Sequence, residues 1–469
     1  MTSDNVNLVI RNAEVVTPSG KRSGGVAVDD GTIIQVDSDD QLPQGESEFD
    51  AEGNVLLPGA IDPHTHMGLA GYQGGFDEHF EYDFKTETRG ALHAGVTTML
   101  TFLFQSEPYL PSVERYAEIG AEQSYIDYGF HAVIQSEEHV KEIPDLAEKG
   151  ITSFKLFFNM YKTAAPILNI EHADVGRLYD TLKQLQDVPN GLAMVHAEND
   201  DLSKRKRAEV EADGRTGVTA WADASPPISE AMQVEQVARL ARDTQTPAYI
   251  VHVSAEESVD ILDRYQSLGV PITGEVLAGH LAHHTGQDIG VFTKVSPPIR
   301  GPSHHRRLWE GISAGVIKHV GTDHAPSSLA GNIDRADIDR YGSIWDAPRV
   351  GRPGMGYLLP VLLSEGVNKN RLTLEQVAEL SATNTAKRFG LYPQKGAIVP
   401  GADADLVIVD MDKSVTVDDD FYNTMEPRWS SLHGTELTGL PSHTFVRGNL
   451  AVANGDLKIQ KGIGQYLNR

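Results

Sequence analysis

Apolar residues follow two rhythms along this chain. Near the N-terminus, residues 7–57 hold the short runs NLVIRNAEVVT, GGVAVDDG and TIIQVD, cut by Ser-Gly and Asp-Asp-Gly turn signals. The far end returns to the same character in ADADLVIVDMD, SVTVD, SHTFVRGNL and AVANG. A few hairpins alone cannot enclose a core. The spacing therefore predicts that the two terminal pieces pair into one small β-sandwich domain, with the middle of the chain inserted between them.

From about 59 to 390 the rhythm changes. Eight short β-rich runs recur: AIDPHTH, TTMLTFLF, YGFHAVI, SFKLFF, LAMVHAE, AYIVHVS, PITGEVL and HVGTDHA. Segments of helical period lie between or after them, among them SVERYAEIGAEQ, VGRLYDTLKQLQ, ESVDILDRYQSLG and HRRLWEGISAG. Alternation of this kind predicts an α/β protein built on a (β/α)8 TIM-like barrel, with an open doubly wound sheet as the rival. No GxGxxG or GxxxxGK[ST] loop follows an early strand, which argues against the nucleotide-binding rival. The expected division is 1–58 for the N-terminal part of the sandwich, 59–390 for the barrel and 391–469 for the C-terminal part and tail.

Polar residues at the strand ends change the picture, because barrel active sites are built there. The first run ends in Asp62-Pro-His64-Thr65-His66; the fourth carries Lys155, the fifth His196, the sixth His252 and the eighth Asp323. His64 and His66 are two apart on an extended segment, so both point to one face. Taken singly, each histidine reads as an ordinary hydrogen-bonded residue and Asp323 as a turn or cap. His280, His283, His284, His304 and His305 read as loop or helix-cap residues. Histidines, a lysine and an aspartate gathered at the ends of separate strands point instead to a metal centre.

Lys155 is the anomaly, a charged amine inside an apolar strand. A protonated lysine would repel a cation. A neutral amine, favoured by desolvation beside positive charge, reacts with carbon dioxide to form a carbamate whose two oxygens can bridge two ions. The ligand set then becomes His64, His66 and Asp323 on one ion, His196 and His252 on the other, with Lys155 between. This nitrogen and oxygen mixture suits two divalent ions, zinc first, with manganese, cobalt or iron as alternatives.

Composition narrows the rest. With 40 Lys+Arg against 66 Asp+Glu the formal charge is −26, which repels nucleic acid and acidic membranes. The acid surplus fits either solubility or life at high salt. Cysteine is absent, excluding disulfides and thiolate metal sites. The opening MTSDNVNLVIRNAEVV lacks a secretory pattern and no eighteen apolar residues run together, so a soluble cytoplasmic protein is expected.

The motifs PGAIDPHTH, YDFKTETRGALHAGVTT, SFKLFF, VHAEND, VHVSAEES, SPPIRGPSHHRRLWEGI, VGTDHAPSS and NTAKRFGLYPQKGAIVPGADADLVIVD carry a resemblance. The chain resembles the cyclic amidohydrolases of the amidohydrolase superfamily, and within them the hydantoinase/dihydropyrimidinase branch. The resemblance implies a binuclear metal barrel with a carboxylated lysine, and a homo-oligomer, a tetramer in relatives. It also implies that Tyr161 supports the substrate carbonyl and that the backbone of Ser296 meets the ring amide. One absence separates it from a neighbouring branch, and two departures stand out. A dihydroorotase would place an arginine after its HxH motif, but Met67-Gly68-Leu69 follows His66 here. FFNMY puts Tyr161 one residue further from the lysine than is usual, and Arg349-Val350 stands where the family has an Asn-Gly step. Met67, Leu69 and Phe76 suggest an apolar wall for a ring substituent, with plain loop packing as the alternative.

The chemistry implied is ring opening of a hydantoin or dihydropyrimidine to an N-carbamoyl amino acid. A water bridging the two ions becomes hydroxide near neutral pH, Asp323 is the general base, and Tyr161 donates to the oxyanion. Imides, allantoin or another lactam are alternative rings. A hydantoinase-like non-catalytic scaffold is the alternative outside enzymes.

Overall fold

The computed structural model describes residues 6–69, 76–158, 173–287, 289–290, 293–326, 341–346, 354–418, 421 and 431–469. Terminal strands β1 (Val6–Thr17), β2 (Gly20–Asp29), β3 (Thr32–Asp37), β4 (Gly45–Asp50) and β5 (Val55–Pro58) precede the barrel. The barrel strands are β6 (Ala60–Thr65), β7 (Val96–Leu103), β8 (Asp127–Val133), β9 (Ser153–Phe157), β10 (Leu192–His196), β11 (Ala248–Ile250), β12 (Ile272–Leu277) and β13 (Ile317–Gly321). The terminal set resumes with β14 (Leu406–Thr416), β15 (Glu436–Val446), β16 (Asn449–Ala453) and β17 (Asp456–Leu457).

Each of the eight apolar runs read from the middle of the sequence overlaps a barrel strand. They form one eight-stranded sheet in the order β6 to β13, every neighbouring pair parallel. Barrel strands are covered on both faces, which is why they read as continuous apolar runs rather than alternating ones. β7, β8 and β9 are buried at every position. The sheet nearly closes on itself: a parallel bridge joins Thr65 to His324, with His66 N donating to His324 O at 2.7 Å and His324 N to His64 O at 3.2 Å. This seam brings the first and last strands together at the mouth.

The two ends of the chain meet in a nine-stranded sheet, ordered β17-β16-β15-β14-β5-β1-β2-β3, with β4 also on β1. The junction is the antiparallel pairing of β5 with β14, Leu57 opposite Val407. Halfway along β1 the register slips between Ile10 and Ala13, and Asn12 takes a φ of 55°. Before the slip β1 pairs with β4, and after it with β5. A bulge of this kind bends a strand, and the sheet wraps its own core of Ile10, Val15, Val26, Leu56, Ile408 and Phe445.

A buried charge cluster pins this sheet to the barrel. Lys395 Nζ lies 2.7 Å from Asp405 and 2.8 Å from Asp403, and it also contacts Asp127 at the start of β8. Arg447 bonds the other oxygen of Asp127. No helix among the described residues is long and apolar enough to cross a membrane.

Candidate metal and catalytic site

The polar residues singled out at the strand ends converge at the C-terminal mouth of the barrel. His64 lies in β6 and His66 one residue beyond it; His196 is the last residue of β10. His252 and Asp323 each follow their strands by two residues. Both adopt left-handed backbone, with φ of 43° and 55°. Such a conformation costs about 1–3 kcal/mol in a non-glycine residue and persists where surrounding structure enforces it. Here it turns the chain sharply out of the strand.

His64, His66 and Asp323 have donor atoms within 4.8 Å of one another. His64 Nε2 is 3.1 Å and His66 Nε2 2.8 Å from the same oxygen, Asp323 Oδ1. The rings of His196 and His252 stand 4.5 Å apart, nearly perpendicular, and the His252 ring lies 5.6 Å from His64. Lys155 is fully buried in the middle of β9, with Nζ 4.8 Å from the centroids of both Phe102 and Phe157. That Nζ has no hydrogen-bond partner among the described residues.

Burial and neighbouring charges both shift these groups. Lys155 is depressed from 10.5 to about 8 by desolvation, against the pull of Asp323 and Glu275. His66 falls to about 4 and His252 well below the ordinary histidine value for the same reason. Burial works to raise Asp323, but the His64 and His66 rings hold its carboxyl well below the usual range. Burial likewise opposes charge on His64, yet Glu275 and Asp323 raise it to about 9.

Behind these groups stand buried partners that sequence reasoning did not single out. Glu275 of β12 accepts from His64 Nδ1 at 2.7 Å, from Tyr249 Oη at 2.9 Å and from His252 N at 3.2 Å. Glu198 accepts from His196 Nε2 at 2.7 Å. Burial alone would raise the Glu198 carboxyl, but hydrogen bonds from His196 and Ser225 and the charge of Arg300 hold it down to about 2. These contacts engage His64 through Nδ1 and His196 through Nε2. His64 Nε2 and His196 Nδ1 remain as the candidate ligand atoms. His131 of β8 joins Ser153, two residues before Lys155, at 2.5 Å to Pro63 O, between Asp62 and His64, at 3.0 Å. His324 Nδ1 accepts from Gly354 N at 2.9 Å, and its Nε2 faces Glu87 at 3.0 Å.

The two-ion set fits these residues. Two imidazoles aimed at one carboxylate oxygen, two more facing each other, and an orphaned buried amine of lowered pKa make a nitrogen and oxygen donor set suited to divalent ions. Carboxylates behind the imidazoles are the usual support for histidine ligands.

The proposed substrate contacts are placed differently from one another. Ser296 is half-buried and its Oγ donates to Glu198 Oε2 at 3.1 Å. Met67 is buried, its N–H held by Thr101 Oγ1 at 3.1 Å. Phe76 stacks on Phe80 at 5.3 Å and meets Tyr116 edge-on at 5.4 Å, within the main core. Gly68, with φ of 76°, allows this approach, since a Cβ there would sit 3.0 Å from both phenylalanine rings. Leu69 instead clusters with Phe104, Phe157 and Ala325. Tyr161, Arg349 and Val350 lie outside the described residues. Of the histidines read as loop or cap residues, His304 Nδ1 accepts from Glu256 N at 3.0 Å, at the start of the helix Glu256–Ser267. His280 sits buried in the short helix Ala278–Ala282.

Comparison with known proteins gives one direction. Residues 55–451 match the amidohydrolase family. The D-hydantoinase of Ralstonia pickettii is 31% identical over 475 residues, covering 99% of each chain. The allantoinase of Deinococcus radiodurans is 30% identical over 460 residues, covering 96% of each. Among solved structures, the L-hydantoinase (dihydropyrimidinase) of Arthrobacter aurescens aligns with a TM-score of 0.88 at 25% identity, over 99% of this chain and 100% of the other.

Proposed function

Starting from the fact that this chain belongs to the amidohydrolase family and is a hydantoinase-like cyclic amidohydrolase, we propose that it opens a hydantoin or dihydropyrimidine ring to an N-carbamoyl amino acid. The observation that carries this reading is the convergence of His64, His66, Lys155, His196, His252 and Asp323 at one barrel mouth. His64, His66 and Asp323 would hold one divalent ion, His196 and His252 a second, and Lys155 as its carbamate would join them. Zinc is the first choice, with manganese, cobalt or iron as alternatives. Such ions, when bound, polarise a carbonyl and lower the pKa of water.

The chain's own groups do the rest. Asp323 is ionised and faces the mouth, so it can take the proton of the attacking water and return it to the ring nitrogen as the C–N bond breaks. Water is thereby added across one amide bond. Ser296 is the proposed contact for the ring amide, and Tyr161 keeps the oxyanion role that the family resemblance gives it. Leu69, Phe104 and Phe157 offer apolar surface beside His66 and Lys155.

The test is a panel of hydantoin, dihydrouracil, a cyclic imide and allantoin, offered to protein loaded with zinc or manganese in bicarbonate. Opening of the first two, with one acid released per ring, supports the proposal. Opening of allantoin alone would favour the second reading that the Deinococcus relative suggests. Less than one metal equivalent and no ring opened would favour a scaffold.

A further inference from the structure

Glu198 receives more than the histidine behind which it stands. It is fully buried just beyond β10, and its Oε2 accepts from two donors, His196 Nε2 at 2.7 Å and Ser296 Oγ at 3.1 Å. Its other oxygen accepts from Ser225 Oγ. One carboxylate therefore touches a proposed metal ligand, a proposed substrate-contact residue and the residue that ends the helix Val218–Ala224.

The segment 293–300 that carries Ser296 is braced by the same neighbours. Trp221 Nε1 donates to Val295 O at 2.6 Å, one residue before Ser296. Arg300, at the segment's other end, donates from Nη1 to Ser225 O at 2.7 Å and from Nε to Ser254 Oγ at 2.8 Å. Its Nη2 reaches Glu230 at 3.3 Å. Ser225 thus bonds Glu198 through its side chain and Arg300 through its carbonyl. These bonds hold the backbone at Ser296 in register with Glu198, and Glu198 is in register with His196.

We infer that Glu198 is a positioning residue that couples the His196 side of the metal centre to the ring-binding segment 293–300, so that filling the centre and ordering that segment are one linked event. The inference rests on the proposed function above. Its chemistry is direct. A cation held by His196 would fix that ring and, through its Nε2–H bond, the Glu198 carboxylate, whose Oε2 is then held in place to accept from Ser296 Oγ. Linkage is reciprocal, so loosening Ser296 must also weaken the cation.

The experiment uses the full-length chain, wild type and Glu198→Gln and Ser296→Ala, titrated with zinc against a chelator in bicarbonate, and followed by amide hydrogen exchange. In wild type, zinc is expected to slow exchange across 293–300. Glu198→Gln should lose that protection, bind zinc about 10–100-fold more weakly, and show a KM raised about fivefold or more at saturating zinc. Ser296→Ala, which touches no metal ligand, should also lose the zinc-dependent protection and bind zinc more weakly. It decides the matter even if Glu198→Gln fails to fold. A merely structural Glu198 would lower the melting temperature equally with and without zinc. Zinc-dependent protection and KM would then be unchanged in both variants, which overturns the coupling. If the wild-type protein opens rings yet shows that result, only the coupling falls. If the wild type takes up no zinc and opens no ring, the proposed function falls and this inference with it.

Discussion

His66 and Asp323 meet across the seam that closes the barrel, Nε2 to Oδ1 at 2.8 Å, although 257 positions separate them in the chain. The contact depends on the Thr65–His324 bridge, which brings the first and last barrel strands side by side. The seam is therefore both the last pairing of the fold and one wall of the candidate site.

Asp323→Asn keeps the shape of the side chain and removes its ability to take a proton. The variant is expected to fold with wild-type circular dichroism while turnover falls by about 10²–10⁴-fold, the usual range for a lost general base. Steady-state kinetics on an opened ring checks this.

Lys155→Met separates packing from chemistry. The amine is fully buried with no hydrogen-bond partner among the described residues, so an apolar chain of similar length should leave the melting temperature unchanged or raise it. Metal content and turnover should both collapse. Elemental analysis beside a thermal melt distinguishes the two effects.

Glu275→Gln tests the support behind His64. Its carboxylate accepts from His64 Nδ1, Tyr249 and His252 N. An amide in its place can offer a donor to Nδ1, which would move the ring proton to the ligand nitrogen. Metal affinity is expected to fall about 10–100-fold, measured by chelator competition.

Lys395→Met should remove the shared cation from the half-buried Asp403 and the buried Asp405, and leave the buried Asp127 with Arg447 alone. Loss of one partner from a buried ionic group costs about 3–5 kcal/mol, read by denaturant unfolding. Burial alone would lower the Lys395 pKa, but Asp405, Asp127 and Asp403 raise it above 10.5. A raised lysine contributes in full below its unfolded value and loses the contribution as pH climbs through the folded one. The stability gap between wild type and variant should hold from pH 7 to about 10 and shrink above 10.5.

Much of this architecture was legible in the residues. Strands buried on both faces must be apolar throughout, so the eight runs of the middle section stood out. The two-residue spacing of His64 and His66 put both on one face. Lys155 drew attention because an amine has no business in such a run. By that logic Glu275, inside PITGEVL, was equally readable: a carboxylate in a buried strand with no cation near it in sequence. Glu198, two residues after His196, offered a weaker signal of the same kind. Glu275 draws its partners from β6, β11 and the turn after β11, and Glu198 adds the distant Ser225 and Ser296 to its neighbour His196. Chain order does not reveal these long-range contacts. Phe76 shows the opposite limit. Its nearness to the HxH motif suggested the mouth, but the left-handed turn at Gly68 leaves room for it to pack on Phe80 and Tyr116.

The most direct measurement is a crystal structure of the protein prepared with zinc and bicarbonate, with data collected across the zinc absorption edge. The account predicts two anomalous peaks at the mouth, one beside His64, His66 and Asp323 and one beside His196 and His252, joined by extra density on the Lys155 amine. A bare Lys155 amine and no anomalous peak among these side chains would contradict it.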